Sequence, residues 1–294
     1  MTSRLNKILV PIDFSAASSA AVSHAGALAR RFHSELTLLH VNEFLVVHPL
    51  SGPLGFGITS WEALSAEHLE ARQKQLEEFG ATELQGVEVK RMIRGGDPAK
   101  VIAACAREQH SDLVLMPTRG EGAFRRFLFG SVTAKVLHDA ECPVWTGVHL
   151  AEPPPYTPDD IRHVMCAVDF GPRTPEVLHW AASLAADFQA TLTAVHVGLG
   201  TPPGLSAQSA FEWHEQAHSG AEEQLRAAVL DADVQADLLV TADGGVPQAL
   251  AAAASEKGAG LLVIGRSSGG AASKGLGHRT YAIVCGAPCP VVSI

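Results

Sequence analysis

Short apolar runs alternate with longer segments of helical period along the whole chain. The apolar runs are rich in Val, Ile and Leu, which is typical of strands buried on both faces of a parallel sheet. The alternation therefore predicts an α/β fold in which parallel strands are joined by helical crossovers. In the first half of the chain it predicts strands near 7–12, 36–41, 87–93, 112–116 and 143–147, and helices near 16–32, 60–79, 98–109 and 131–139.

The second half of the chain repeats the first. KILVPIDFS, residues 7–15, returns as HVMCAVDFG, residues 163–171, and LTLLHV returns as LTAVHV at the same spacing. A repeat over nearly the entire chain predicts two copies of one domain. We expect a first domain at 1–148, a linker at 149–160 that is rich in proline and acidic residues, and a second domain at 161–294.

The second copy ends on its fifth predicted strand, PVVSI. A strand in that position exposes one edge unless another strand pairs with it. We therefore expect the two copies to associate edge to edge.

Composition and charge exclude several classes of protein. The 294 residues, of which 47% are hydrophobic, are enough for two sizeable cores. A net charge of -9 argues against a general nucleic-acid binder, which needs a basic face. We expect neither a targeting signal nor a membrane span, because the apolar runs are too short. The five scattered cysteines form no Cys-x-x-Cys motif and indicate a reducing, cytoplasmic setting.

The predicted ligand site lies where the strands of the first copy end. In open parallel sheets ligands bind at the carboxyl ends of the strands, where the strand order reverses. Asp13 follows the first strand, Val41 and Asn42 end the second, and MPTRGEGAFRRFLFGS, residues 116–131, follows the fourth. The last stretch contains Gly120, then nine residues, then Gly130 and Ser131 at the start of a helix, where backbone amides attract anions. It also contains three cationic residues: Arg119, Arg125 and Arg126.

Each of these features has a simpler interpretation that the sequence leaves open. Asp13 or Ser15 could serve only to cap the next helix. Gly130 and Ser131 could be only a turn and a helix start. The three arginines could be only a solvated face. Their convergence at one end of one sheet is what favours a ligand site.

Taken together, these motifs resemble those of the universal stress protein family. The residues that carry the resemblance are Asp13 after LVPI, the segment GDPAKVI, the Gly-x9-Gly-Ser spacing and VTAKVLHDAECPV, and both copies match. The resemblance implies a tandem member with two Rossmann-like domains, similar to adenine nucleotide alpha hydrolases. Each would hold a five-stranded parallel sheet flanked by helices, paired through the last strands as an intramolecular pseudo-dimer.

The resemblance also implies binding of ATP, with or without magnesium, in the first copy. The nucleotide-binding candidates are Pro11, Ile12, Asp13, Val41, Met116, Pro117, Arg119, Gly120, Gly130, Ser131, Val132 and Thr133. The expected function is that of a stress-response regulator linked to the nucleotide, without a catalytic residue. Two alternatives stay open: an interaction module of the same fold that binds no nucleotide, and a slow ATPase or phosphotransfer enzyme.

Pro117 departs from the family pattern, which has its first glycine there. Proline supplies no amide donor and fixes φ near about -65°. One phosphate contact would be lost, and a hydrogen bond to a charged group is worth roughly 1.5–3 kcal/mol. We therefore expect ATP binding in the first copy to be weakened by one or two powers of ten without being abolished.

The second copy is a poorer candidate for ATP. Its loop keeps Gly265, has Ser268 in place of the second glycine, and has His278 in place of Ser131. Residues 149–294 carry 7 basic and 15 acidic side chains, a net charge of -8, whereas residues 1–148 carry 15 and 16, a net charge of -1. Electrostatic repulsion disfavours binding of a polyanion such as ATP in the more negative half.

Several histidines invite a functional interpretation. HEQAH, His214 to His218, is a literal His-Glu-x-x-His motif, but in a chain with 14 histidines the spacing alone is weak evidence, and we expect no metal there. His40 and His196 occupy matching positions at the ends of two strands, which indicates a structural role.

The sequence does not identify the stress, an unknown protein partner, or whether the chain forms a homodimer. The long apolar loop at 43–60 is either a lid over the nucleotide or part of an oligomer contact.

Overall fold

The computed structural model describes residues 5–42, 59–118, 130–147, 160–202, 204–242, 245–266 and 278–294. The loop at 43–58, the linker residues 149–159, and Arg119, Gly120, Arg125, Arg126 and Ser268 lie outside these ranges. In the first copy the elements are β1 (Lys7–Ile12), α1 (Ala16–Phe32), β2 (Glu35–Asn42), α2 (Thr59–Glu78), β3 (Val89–Gly95), α3 (Pro98–Glu108), β4 (Leu113–Met116), α4 (Ser131–Asp139) and β5 (Val144–Thr146).

The second copy repeats this order of elements. They are β6 (His163–Ala167), α5 (Thr174–Phe188), β7 (Thr191–Val197), α6 (Ala207–Asp231), β8 (Asp237–Thr241), α7 (Val246–Glu256), β9 (Leu261–Ile264), α8 (His278–Gly286) and β10 (Val291–Ser293). Each copy thus supplies five strands and four helices to the described part of the chain, and the predicted α/β fold is confirmed.

One compact unit contains Leu5–Phe124 and Gly130–Cys142. Its strands lie in the order β3-β2-β1-β4, and β1 pairs in parallel with both β2 and β4. The chain leaves β1 toward β2 and β3 on one side and later returns to place β4 on the other. The strand order therefore reverses between β1 and β4, and the carboxyl ends of these two strands border the crevice where such sheets bind ligands.

The other unit contains Pro143–Ile294, so it includes the last strand of the first copy. Its strands lie in the order β5-β10-β9-β6-β7-β8, with the reversal between β6 and β9. β5 and β10 pair antiparallel, with Trp145 opposite Val292. The pairing of the last strands that the resemblance implies is therefore present.

Packing around Trp145 explains why β5 belongs to this second unit. Trp145 has an exposed fraction of 0%, and its ring meets that of Phe188 from α5 edge to face, with 6.4 Å between the centroids. The hydroxyl of Thr146 donates to the carbonyl of Val291 at 3.1 Å. A buried tryptophan and a strand ladder thus attach β5 to the core of the second copy.

Among the described helices, none combines the length and the apolar character that crossing a bilayer requires.

Candidate functional site

Asp13, immediately after β1, is held by two serines at the start of α1. Its Oδ1 accepts hydrogen bonds from the Ser15 amide at 3.1 Å and from the hydroxyls of Ser15 and Ser18 at 2.5 Å each. Ser15 is the N-cap of α1, because its Oγ accepts from the Ser18 amide at 3.1 Å. The capping interpretation therefore holds for Ser15, while Asp13 is a carboxylate fixed at the end of the strand by its neighbours.

His40, near the end of β2, contacts the residues on either side of Asp13. Its Nδ1 lies 3.1 Å from the carbonyl oxygen of Ile12, and its ring centroid lies 4.5 Å from that of Phe14. Burial lowers the pKa of His40, and the positive charge of Arg72 lowers it further, whereas the Ile12 carbonyl and the negative charge of Asp13 raise it. The net direction is downward, so the neutral imidazole is favoured.

Two hydrogen bonds bring the start of α4 to the end of β4. The Gly130 amide donates to the Thr118 carbonyl at 2.9 Å, and the Thr133 hydroxyl donates to the Pro117 carbonyl at 3.1 Å. The Gly130 amide is thus already engaged within the protein. Ser131 and Val132 begin the first turn, where amides lack acceptors inside the helix, and Ser131 is exposed. These two amides are the part of the helix start that suits an anion.

The predicted site residues gather at one edge of one unit wherever they are described. Because β2, β1 and β4 are parallel neighbours, Val41, Asp13 and Met116 come to the same edge. Pro11, Ile12, Met116 and Thr133 are buried, so their contribution there is backbone and packing. Phe14 and Ser18 were not predicted as site residues. Phe14 follows Asp13 in the repeated DFS and DFG motifs, which was the available signal, whereas Ser18 lies outside these motifs.

The second copy has a cavity at the equivalent edge, next to Asp169. It has a volume of about 240 Å³, and its lining includes Asp169, Arg173, Thr174 and Arg266. Asp169 Oδ1 accepts from the Gly171 amide at 2.9 Å. Arg173 holds Glu176 at 2.8 Å and donates to the Ile294 carbonyl at 3.1 Å. The cavity was not predicted from the sequence, because its walls come from segments far apart in the chain.

Thr174 stands in the second copy where Ser18 stands in the first. Its Oγ1 is buried and has no hydrogen-bond partner among the described residues, whereas the Ser18 hydroxyl donates to Asp13. The two copies therefore keep the aspartate and differ in how it is held.

His214 and His218 lie on α6 with their ring centroids 6.2 Å apart. Within the described ranges, no group of three or more His, Cys, Asp or Glu side chains is arranged to hold a metal ion.

Comparison with known proteins matches both copies to one family. The family model described as "Universal stress protein family" matches residues 4–146 and 160–294. A universal stress protein of Methanocaldococcus jannaschii is 34% identical over 139 residues, covering 47% of this chain and 79% of that protein. One of Mycolicibacterium smegmatis is 29% identical over 216 residues, covering 72% of this chain and 70% of that protein.

Among solved structures, a universal stress protein from Archaeoglobus fulgidus matches with a TM-score of 0.67 and 21% identity. The match covers 99% of this chain and 97% of that one, so the likeness of fold extends over both copies.

Proposed function

Because the chain belongs to the universal stress protein family, we propose that its first copy binds ATP at the edge formed by β1, β2 and β4. In this proposal the protein acts in the cytoplasm as a regulator of the stress response. ATP stabilises a conformation or surface that a partner reads, so that binding of the nucleotide and of the partner are linked.

The observation that carries the proposal is the pairing of the β4 end with the α4 start. Thr118 and Gly130, joined by a hydrogen bond of 2.9 Å, bring the first turn of α4 to the edge that also holds Asp13. Ser131 and Val132 then offer amides for a phosphate, and Asp13 offers a carboxylate for hydroxyl or amino groups of a nucleoside. Arg119 and Gly120, in the segment between these two residues, are part of the proposed site.

Pro117 lowers the affinity of the proposed site for ATP. Its carbonyl accepts from Thr133, so its contact on the protein side is satisfied, while its nitrogen carries no hydrogen for a phosphate. Replacing it by glycine restores that donor and leaves the carbonyl in place. Pro117→Gly is expected to tighten ATP binding by about tenfold, because one hydrogen bond to a charged group is regained. Calorimetric titration of both proteins with Mg-ATP measures this difference.

The second copy, residues 161–294, has the role of a degenerate partner domain in this proposal, with 149–160 as the linker. The net charge of -8 over residues 149–294 and the loss of glycine and serine from the phosphate loop of the second copy support this assignment. The alternative of an interaction module that binds no nucleotide is favoured by the proline at position 117. Slow hydrolysis of ATP is the remaining alternative, and Ser131→Ala tests it, since loss of ADP formation relative to wild type would implicate that hydroxyl.

The decisive experiment compares matched aspartates in the two copies. Untagged protein is denatured to release and identify any bound nucleotide, and Mg-ATP is then titrated into wild type, Asp13→Asn and Asp169→Asn. The proposal predicts one ATP per chain, with binding weakened in Asp13→Asn and unchanged in Asp169→Asn. Two ATP per chain would contradict the assignment to the first copy alone. No detectable binding at millimolar Mg-ATP would favour the alternative of an interaction module that binds no nucleotide.

A further inference from the structure

We propose that His40 is a positioning residue for Asp13, and that it acts by contacting the residues on both sides of it, the backbone carbonyl of Ile12 and the ring of Phe14. The proposal rests on the proposed function in so far as Asp13 contacts the nucleotide. The contact of His40 with the neighbours of Asp13 is a property of the chain whether or not a nucleotide binds.

His40 contacts the neighbours of Asp13 through one hydrogen bond and one ring contact. His40 Nδ1 lies 3.1 Å from the carbonyl oxygen of Ile12, the residue before Asp13. Because a carbonyl only accepts, Nδ1 carries the proton and the tautomer of the neutral ring is fixed. On the other side of Asp13, the ring of Phe14 packs against His40 with 4.5 Å between the centroids.

Phe14 needs this support because of its backbone conformation. Its φ is 64°, in the left-handed region that a bulky residue rarely adopts. Such a conformation persists only where its surroundings enforce it. Besides His40, the ring of Phe14 meets Phe79 edge to face at 5.4 Å, and the guanidinium of Arg72 lies 5.5 Å from its centroid. The sharp turn after Asp13 is therefore held through the Phe14 side chain.

The turn places the Asp13 carboxylate where the serines meet it. With the backbone fixed, Oδ1 reaches the Ser15 amide at 3.1 Å and the Ser18 hydroxyl at 2.5 Å. The Asp13 amide in turn donates to the Ser18 Oγ at 3.1 Å. If the turn relaxed, these bonds would be lost together, and the carboxylate would no longer be held in one direction.

The same pair of contacts occurs at His196 in the second copy, which supplies a matched control. His196 Nδ1 lies 2.7 Å from the Val168 carbonyl, and its ring stacks on Phe170 at 4.2 Å. Phe170 also has a positive φ, of 58°. The residue between them is Asp169, which has neither serine partner. Because Val168 and Phe170 both belong to the second copy, loss of His196 should perturb only that copy.

The test uses the variants His40→Ala, His40→Asn and His196→Ala in the full chain. The asparagine side chain retains an N–H donor near the position of Nδ1, so it separates the hydrogen bond from the ring contact. Two quantities are measured: the dissociation constant for Mg-ATP, and the hydrogen-exchange rates of the Ser15, Ser18, Gly171 and Thr174 amides.

We expect His40→Ala to raise the ATP dissociation constant about tenfold, since loss of orientation at a contact group weakens binding of the oriented ligand. Rescue to within about threefold is expected in His40→Asn, and a change within about twofold in His196→Ala. Exchange of the Ser15 and Ser18 amides should accelerate in His40→Ala alone.

Equal weakening by His40→Ala and His196→Ala would overturn the proposal, because it would show only general destabilisation. Unchanged exchange at Ser15 and Ser18 in His40→Ala would overturn it as well. If the wild type binds no ATP, the proposed function fails and the exchange rates alone decide the role of His40. The two failures are therefore distinguishable.

Discussion

Ser18 and Thr174 occupy the same place in the two copies and have opposite hydrogen-bonding states. Ser18 is 1% exposed and donates to Asp13, whereas the Thr174 hydroxyl is buried without a partner among the described residues. A buried hydroxyl that loses its water contributes to stability only when it is bonded. A hydroxyl group at this position thus stabilises the first copy and costs free energy in the second.

Paired substitutions at these positions should have different effects on stability. Ser18→Ala is expected to lower the free energy of unfolding by about 1–3 kcal/mol, because it leaves Asp13 short of a donor. Thr174→Val, which keeps the shape and removes the hydroxyl, is expected to leave it unchanged or raise it by up to about 1 kcal/mol. Urea unfolding followed by circular dichroism measures both. A loss of stability in Thr174→Val would show that its hydroxyl is bonded in solution.

His40 should make stability depend on pH. Its pKa is lowered in the folded chain, chiefly by burial, so the unfolded chain binds a proton more readily. The contribution to stability is therefore present above the ordinary histidine pKa of about 6.5 and is lost as the pH falls below it.

We expect His40→Asn, which cannot titrate, to show a smaller loss of stability than wild type between about pH 7.5 and 5.5. His138→Asn is the control, because the His138 ring is exposed on the surface, where its Nδ1 lies 2.7 Å from Oδ1 of Asp139. Thermal unfolding at several pH values gives the slope of stability against pH for wild type and for both variants. A slope unchanged in His40→Asn would mean that other groups carry the pH dependence.

At the scale of elements, the turn after α2 requires two glycines for different reasons. Gly80 has a φ of 69°, and a Cβ added there would lie 2.5 Å from Val22 Cγ1 of α1. Gly86 has a φ of 76°, but an added Cβ would meet nothing within 4 Å among the described residues. The first glycine permits both the backbone conformation and the packing of the chain against α1, while the second permits only the conformation.

Alanine at the two positions should separate the cost of the left-handed conformation from the cost of packing against α1. Gly86→Ala is expected to cost about 1–2 kcal/mol of unfolding free energy for the left-handed conformation. Gly80→Ala is expected to cost about 1–3 kcal/mol more, because the added methyl overpacks against Val22. Denaturant midpoints of the two variants measure the difference. Equal costs would show that α1 shifts to accept the methyl group.

At the scale of the whole molecule, the boundary between the copies in the sequence differs from the boundary between the compact units. β5 is encoded by the first copy and lies with Pro143–Ile294. Its Trp145 is fully buried and in contact with Phe188. The second copy should therefore need β5 to fold with full stability.

Two fragments test this dependence. A chain of residues 143–294 retains β5, whereas one of residues 161–294 lacks it and leaves β10 without its antiparallel partner. We expect the shorter fragment to be less stable by about 3 kcal/mol or more, comparable to removing a buried tryptophan side chain. Chemical unfolding of both fragments gives the comparison. Equal stability would show that β5 only covers an edge.

Much of the fold could be predicted from the sequence because its signals are local. Apolar runs and helical period placed β1 at 7–12, α1 at 16–32 and α4 at 131–139, as observed. Turn and capping residues fix such boundaries through contacts between near neighbours. The repeat then indicated a second copy, and the combination of Asp13 with the Gly-x9-Gly-Ser spacing indicated the family, which the comparisons confirm.

Which atoms already have hydrogen-bond partners follows from the folded arrangement of the chain. In that arrangement the Gly130 amide binds the Thr118 carbonyl, Ser18 holds Asp13, and His40 bonds to the carbonyl of Ile12. The order of the elements could be read from the sequence, and the edge of the sheet at which we propose a ligand to bind was predicted from it. The partners of each donor and acceptor depend on register, χ angles and residues far apart in the chain, which local sequence patterns do not encode.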